Sequence, residues 1–338
     1  MQNNMAKDLK IATQSKNDIG HDYCKDGFLP LLLTAVCMLI TLLATVIDRF
    51  IYPFGADMLS PALGQIIILL IPIYLCLQLL APEKTMKQHV KALGIDKLHA
   101  EYAFFIIFSS LFVISGGALL TIICGGARSA AEEFTILAAF TAGINEYATN
   151  YPYLLVVYVL IPAILEELLL RGVIFTYLKT VDTPVAVLVS SLISALFAFS
   201  LGGIPAAIFC ALTYCFVLTT TRALQASMIV HLAYNLYALL LGSNMSAYFL
   251  SSQNNTLLIL IVIGAFLISS SLFFTEAAKI YRAKAARIAD GTEASTLVSF
   301  NIRAFWRDTK ALFSFPPTAV CAITTVVLYA AIMIICSI

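Results

Sequence analysis

Apolar residues fill most of this chain in blocks too long and too continuous for alternating strands or one-faced amphipathic helices. Crossing ~30 Å of hydrocarbon as a helix takes roughly 20 such residues. Windows of that kind recur at 28–47, 61–81, 102–124, 153–176, 184–201, 203–219, 225–242, 256–274 and 316–336. The pattern predicts an all-α fold, a polytopic membrane helical bundle of eight to nine transmembrane helices. The fifth and sixth windows are the shortest, are joined by Gly202 and Gly203, and read as a hairpin that is partly re-entrant. The blocks divide the chain into a polar tail (1–27), N-terminal transmembrane helices (28–150), a core (151–242) and C-terminal helices (243–338). The last part contains a basic segment, 276–315. There Ile302, Phe305, Trp306, Leu312 and Phe313 recur at helical spacing among Arg303, Arg307 and Lys310, the pattern of a helix lying in the membrane interface. No internal repeat and no soluble domain interrupts the series.

Composition sharpens the class. The 338 residues are 61% hydrophobic and 12% charged, about half the charged fraction of a soluble domain. A net charge of +1 gives no reason to expect a nucleic acid as partner, and the partner implied is the lipid bilayer. Where the charges fall is more informative. With the N-terminus in the cytoplasm, every Lys and Arg lies in a cytoplasmic segment except Arg49, Arg128 and the intramembrane Arg171. The outer loop at 125–151 carries Glu132, Glu133 and Glu146 instead. The apolar run after the polar tail is too long for a cleaved signal, so the localisation expected is a cell membrane, multi-pass, with an uncleaved cytoplasmic N-terminus. The eight cysteines are scattered through apolar runs without a Cys-x-x-Cys pair and read as small buried side chains.

Two places break the apolar pattern. Glu166, Glu167 and Arg171 lie inside the fourth window. Three unpaired ionisable groups at bilayer depth would cost on the order of 8 kcal/mol, so something must pair them. Glu167 and Arg171 are i and i+4 in the favourable acid-first order. That leaves Glu166, about 100° round the helix, the freer carboxylate. The second place is His231 and Asn235 in the seventh window, again i and i+4 on one face. Counted from the cytoplasmic helix ends, Glu166, His231 and Asn235 reach the same half of the bilayer. A buried carboxylate facing an imidazole and an amide can activate water and stabilise an oxyanion. Glu166 and His231 are also an oxygen and a nitrogen ligand for a metal, too few by themselves. The plainer reading is that these polar residues only tie helices together.

Glu-Glu-x-x-x-Arg at Glu166, Glu167 and Arg171, followed by His-x-x-x-Asn at His231 and Asn235, resembles the CAAX-protease and bacteriocin-processing (CPBP/Abi) family. The likeness spans roughly 150–242 and includes Gly172, Pro184 and the Thr221 to Leu224 approach to the histidine. It implies a helical intramembrane endopeptidase, a hydrolase whose eukaryotic relatives remove the last three residues of prenylated proteins and whose bacterial relatives are linked to peptide maturation and self-immunity. By the same likeness Glu166 activates water, with a divalent metal such as zinc in some accounts. Arg171 orders the glutamates, and His231 and Asn235 lie on the oxyanion side. The implied substrate is a membrane-associated peptide or a lipidated protein. The family's second motif, Phe-x-x-x-His, is incomplete: Ser200 or Leu201 stands where its histidine would be, and His21, His89 and His99 fall in predicted cytoplasmic segments. Serine is a poor metal ligand and leucine is none. Peptide hydrolysis by glutamate-activated water is thus one reading and a catalytically silent membrane scaffold or regulator is the alternative, with a transporter third. Oligomeric state is not legible in the sequence.

Overall fold

The computed structural model describes residues 27–47, 60–80, 98–125, 151–197, 203–242, 255–291 and 301–337, with a few isolated residues between them. The outer loop with Glu132, Glu133 and Glu146 lies outside the described residues, as do His21, His89, Ser200 and Leu201. Among the described residues all regular structure is helical. Seven helices are long and apolar enough to cross a membrane: α1 (Gly27–Ile47), α3 (Ala100–Cys124), α4 (Pro152–Leu178), α6 (Ile204–Thr221), α7 (Leu224–Leu241), α8 (Thr256–Ala289) and α10 (Pro316–Cys336). The other two apolar windows form α2 (60–80), whose apolar helix runs over Ala62–Leu75, and the shorter α5 (Thr183–Leu196). At 14 residues α5 is ~21 Å long, and the end of its window, 198–201, lies outside the described residues. The remaining helix is α9 (Ile302–Ser314), between α8 and α10. The chain is a multi-pass membrane protein.

α4 is the centre of the bundle, and its backbone explains why. Two of its stretches, Leu155–Leu160 and Leu168–Phe175, are wound as π-helix on either side of the turn Ile161–Glu167. Pro162 has no N–H to give, so a carbonyl one turn earlier loses its partner in a region where no water can replace it. Gln65 of α2 supplies the missing donor, with its Nε2 2.9 Å from the Val157 carbonyl. Side chains also support the second π-stretch: Ser190 of α5 donates to the Leu170 carbonyl at 3.1 Å, and Thr176 to that of Arg171 at 3.3 Å. Wide turns of this kind are uncommon and concentrate at functional sites.

Around α4 the helices pack as two layers of contact. α1, α2, α5 and the start of α7 close over it through Met38, Ile68, Leu69, Val185 and Leu224, all 1% exposed or less. On the far side, α3, α6 and α8 share an aromatic core in which Phe112 stacks on Phe273 with ring centroids 4.6 Å apart and meets Phe209 edge-on at 5.0 Å. α3 approaches this closely because it carries Gly116 and Gly117. A Cβ on the first would stand 2.3 Å from the Phe209 ring, and one on the second 2.7 Å from that of Tyr234. Ser115 and Ser269 then share a 2.7 Å hydrogen bond between α3 and α8. Small residues at the contact with a hydroxyl bond across it are the usual means of helix association in lipid.

The depth of α7 is set at the α6–α7 turn. Arg222 ends α6 in the left-handed conformation (φ 57°), and its N–H closes onto the Leu218 carbonyl at 2.7 Å. The buried Lys284 of α8 donates to the Thr220 carbonyl, and the Leu224 N–H donates to Gly94 at 3.0 Å. α7 therefore starts from a fixed point, and His231 lies seven residues, ~10 Å, along it.

Candidate active site

α4 and α7 bring Glu166, Glu167, Arg171 and His231 together. Glu167 and Arg171 form the expected i,i+4 pair at 3.0 Å, both with no exposed surface. Arg171 reaches further than its own helix. One amino group lies 3.5 Å from Ser194 Oγ of α5, the other donates to the Ala211 carbonyl of α6 at 3.2 Å, and its guanidinium carbon lies 5.2 Å from the centre of the Tyr214 ring. A single buried cation thus ties α4, α5 and α6, and through Glu167 also α7.

His231 is held more firmly than spacing alone could show. Its Nδ1 is 3.1 Å from Glu167 Oε1, the same oxygen that takes Arg171, and its ring stacks on Tyr214 with centroids 4.9 Å apart and planes 20° from parallel. An oxygen paired with a guanidinium is an acceptor, so Nδ1–H donates to it. In the neutral imidazole that fixes the tautomer and leaves Nε2 with a lone pair. Nε2 faces Glu166 Oε2 at 3.9 Å, too far for a direct hydrogen bond and close enough for one oxygen atom to touch both. Glu166 keeps 15% of its side chain exposed against none for Glu167. The two glutamates therefore divide: Glu167 is spent on Arg171 and His231, while Glu166 is the freer, as their positions on the helix predict.

Asn235 lies one turn beyond His231, 3% exposed, and its Nδ2 has no hydrogen-bond partner among the described residues. No group of three or more His, Cys, Asp or Glu side chains among the described residues is placed to hold a metal ion. His231 Nδ1 and Glu167 Oε1 are occupied by each other, and Glu166 and the His231 Nε2, which face each other, are two ligands where a catalytic zinc takes three. The position of the family's missing histidine, at Ser200 or Leu201, is outside the described residues. His99 stands apart from the site, packed edge-on against Tyr102.

Sequence reasoning missed Ser194, Tyr214 and Gln65. An amide in the second apolar window and a proline in the fourth were signals for Gln65, since each marks a backbone or side-chain group that needs a partner in lipid. Tyr214 gave no signal, because an aromatic in an apolar run reads as core.

No curated protein and no solved structure matches the chain. Residues 148–237, which carry Glu166, Glu167, Arg171, His231 and Asn235, match the family model of the Type II CAAX prenyl endopeptidase Rce1-like proteins, so the resemblance read from the two motifs holds at the level of that family.

Proposed function

We propose that the protein is an intramembrane endopeptidase that hydrolyses a membrane-associated peptide or lipidated protein, with Glu166 as the general base. The observation that carries this reading is the division of labour between the two glutamates: Glu166 is partly exposed and faces a lone pair of His231 whose other nitrogen is pinned by Glu167. In the reaction, a water between Glu166 Oε2 and His231 Nε2 gives one proton to the carboxylate and one hydrogen bond to the imidazole. Its oxygen attacks the peptide carbonyl carbon. The oxyanion takes a hydrogen bond from Asn235 Nδ2, and the C–N bond then breaks as the proton held by Glu166 passes to the leaving amine. Glu167, Arg171 and Tyr214 fix the imidazole. The described donor set does not complete a metal site, and no step here requires one. The protein is placed in the cell membrane with its N-terminus in the cytoplasm, following the distribution of Lys and Arg.

The test is cleavage of a panel of prenylated and hydrophobic peptides by the purified protein in lipid nanodiscs. Wild type should cut at least one of them and Glu166→Gln should not. Absence of cleavage across the panel overturns the reading.

One observation favours a second reading. The chain lacks the histidine of the family's second motif, with Ser200 or Leu201 in its place. A silent scaffold or regulator built on the same core would keep its cellular phenotype in Glu166→Ala, whereas an enzyme would lose it in protein that still accumulates.

A further inference from the structure

α9 is capped and docked as a structural element. The Asn301 side chain accepts hydrogen bonds from the N–H groups of Arg303 and Ala304 at 3.0 and 3.3 Å, which starts the helix. Leu312, 1% exposed, seats on Gly27 at the beginning of α1, where a Cβ would stand 2.3 Å from its Cδ1, and Phe315 meets Phe28 edge-on. At 100° per residue, Leu312 and Phe305 define one face, turned to the protein. Ile302, Trp306 and Phe313 cluster within about 40° of one another on a second face. They are 52%, 63% and 38% exposed. Arg303, Arg307 and Lys310 form a third, adjoining face, all exposed.

Three faces of this kind need three surroundings. The first has the bundle. What covers the second follows from chain connection: only Phe315 separates α9 from Pro316, the first residue of the span α10, so α9 lies at the depth where a span enters the hydrocarbon. An apolar face there meets acyl chains, and the basic face beside it meets the headgroup layer. Arg307 shares its charge with Asp308 at 2.7 Å, which leaves α9 a net two positive charges from three basic residues and one acidic one.

We propose that α9 binds anionic phospholipids of the surrounding membrane, with Arg303, Arg307 and Lys310 on the headgroups and Ile302, Trp306 and Phe313 among the adjoining acyl chains. Charge complementarity selects the occupant: zwitterionic headgroups offer no net attraction, whereas each basic side chain near the surface favours an anionic lipid by up to about fivefold. The inference does not depend on whether the polar site cuts peptides.

Trp306 is the chain's single tryptophan, so intrinsic fluorescence reports on α9 alone. The full-length protein is reconstituted in phosphatidylcholine vesicles that contain an equal, minor mole fraction of either brominated phosphatidylcholine or brominated phosphatidylglycerol. The expected result is blue-shifted emission quenched by both lipids, about twofold more by the anionic one. Added salt should shrink the excess. The triple variant R303Q/R307Q/K310Q should abolish it while keeping the blue shift. Equal quenching of wild type by the two lipids overturns the proposal, as does red-shifted, unquenched emission, which would place Trp306 in water. Quenching that falls as protein is concentrated in the bilayer would show a second copy on the face and overturns it too. If the triple variant fails to fold, the salt dependence in wild type decides alone.

Discussion

Replacing Glu167 by glutamine tests the division of labour between the two glutamates. Glu167 Oε1 carries Arg171 at 3.0 Å and His231 at 3.1 Å in a place with no exposed surface. An amide keeps the shape and one acceptor oxygen but removes the charge. Arg171 is then a buried cation without its counter-ion, and the Ala211 carbonyl at 3.2 Å, a long contact to Ser194 and the Tyr214 ring carry no full negative charge to replace it. Breaking a buried pair from one side costs about 3–5 kcal/mol. At roughly 2 °C per kcal/mol for a chain of this size, the thermal midpoint should fall by about 6–10 °C. Glu166→Gln is the control. It removes a carboxylate whose contact with His231 Nε2 is 3.9 Å long and should cost less than about 1 kcal/mol. A third variant closes the argument. E167Q/R171M removes both ions and leaves no uncompensated buried charge, so much of the lost stability should return. The assay is the fraction of protein that remains monodisperse on size exclusion after heating in detergent. The reasoning fails if Glu166→Gln is as damaging as Glu167→Gln, or if the losses from E167Q and R171M simply add.

Three further outcomes follow from single contacts and use the same assay. Gln65→Leu orphans the Val157 carbonyl beside Pro162 and should cost about 1 kcal/mol, in the range of interhelical hydrogen bonds in lipid, so an unchanged midpoint would show that the π-turn satisfies itself. Gly116→Ala drives a Cβ to 2.3 Å from Phe209, whose ring is already wedged against Phe112, and should cost about 1–3 kcal/mol, whereas a neutral effect would mean that α3 can shift outward. Asp182, at the α4–α5 turn, has its carboxyl raised above the ordinary value by burial and by the neighbouring Asp308. A raised carboxyl binds its proton more tightly in the folded protein, so this contribution is present below the ordinary value of about 4 and is lost as the pH climbs through the raised one. Asp182 is half-buried, so the effect is small, and Asp182→Asn should flatten that part of the pH–stability curve; an identical slope in the variant would refute it.

What was legible in the sequence is what depends on one helix at a time. Residue 167 and residue 171 share a face on any helix, so their pairing needed no neighbour, and the distances of Glu166 and His231 from their helix ends set their common depth before any packing was known. What depends on rotation of one helix against another was not legible. Whether His231 turned to Glu166 or to Glu167 is such a question, and the answer, Nδ1 on Glu167 and Nε2 toward Glu166, rests on features of α6 and α7 that carry no motif. The Arg222 turn and the Lys284 contact fix where α7 begins, and the Tyr214 ring fills the space under both the imidazole and the guanidinium. The π-stretches are hidden for a similar reason: a wide turn forms where other helices bring Gln65 and Ser190 to the carbonyls, and those residues are 92 and 20 positions away from the carbonyls they meet. The two polar motifs thus name the groups that meet, while the aromatic and amide groups around them decide which nitrogen of one histidine faces which glutamate. A variant such as Tyr214→Leu, which leaves all five motif residues in place, should therefore loosen the imidazole and impair the site as a motif substitution would, while Tyr214→Phe, which keeps the ring, should not.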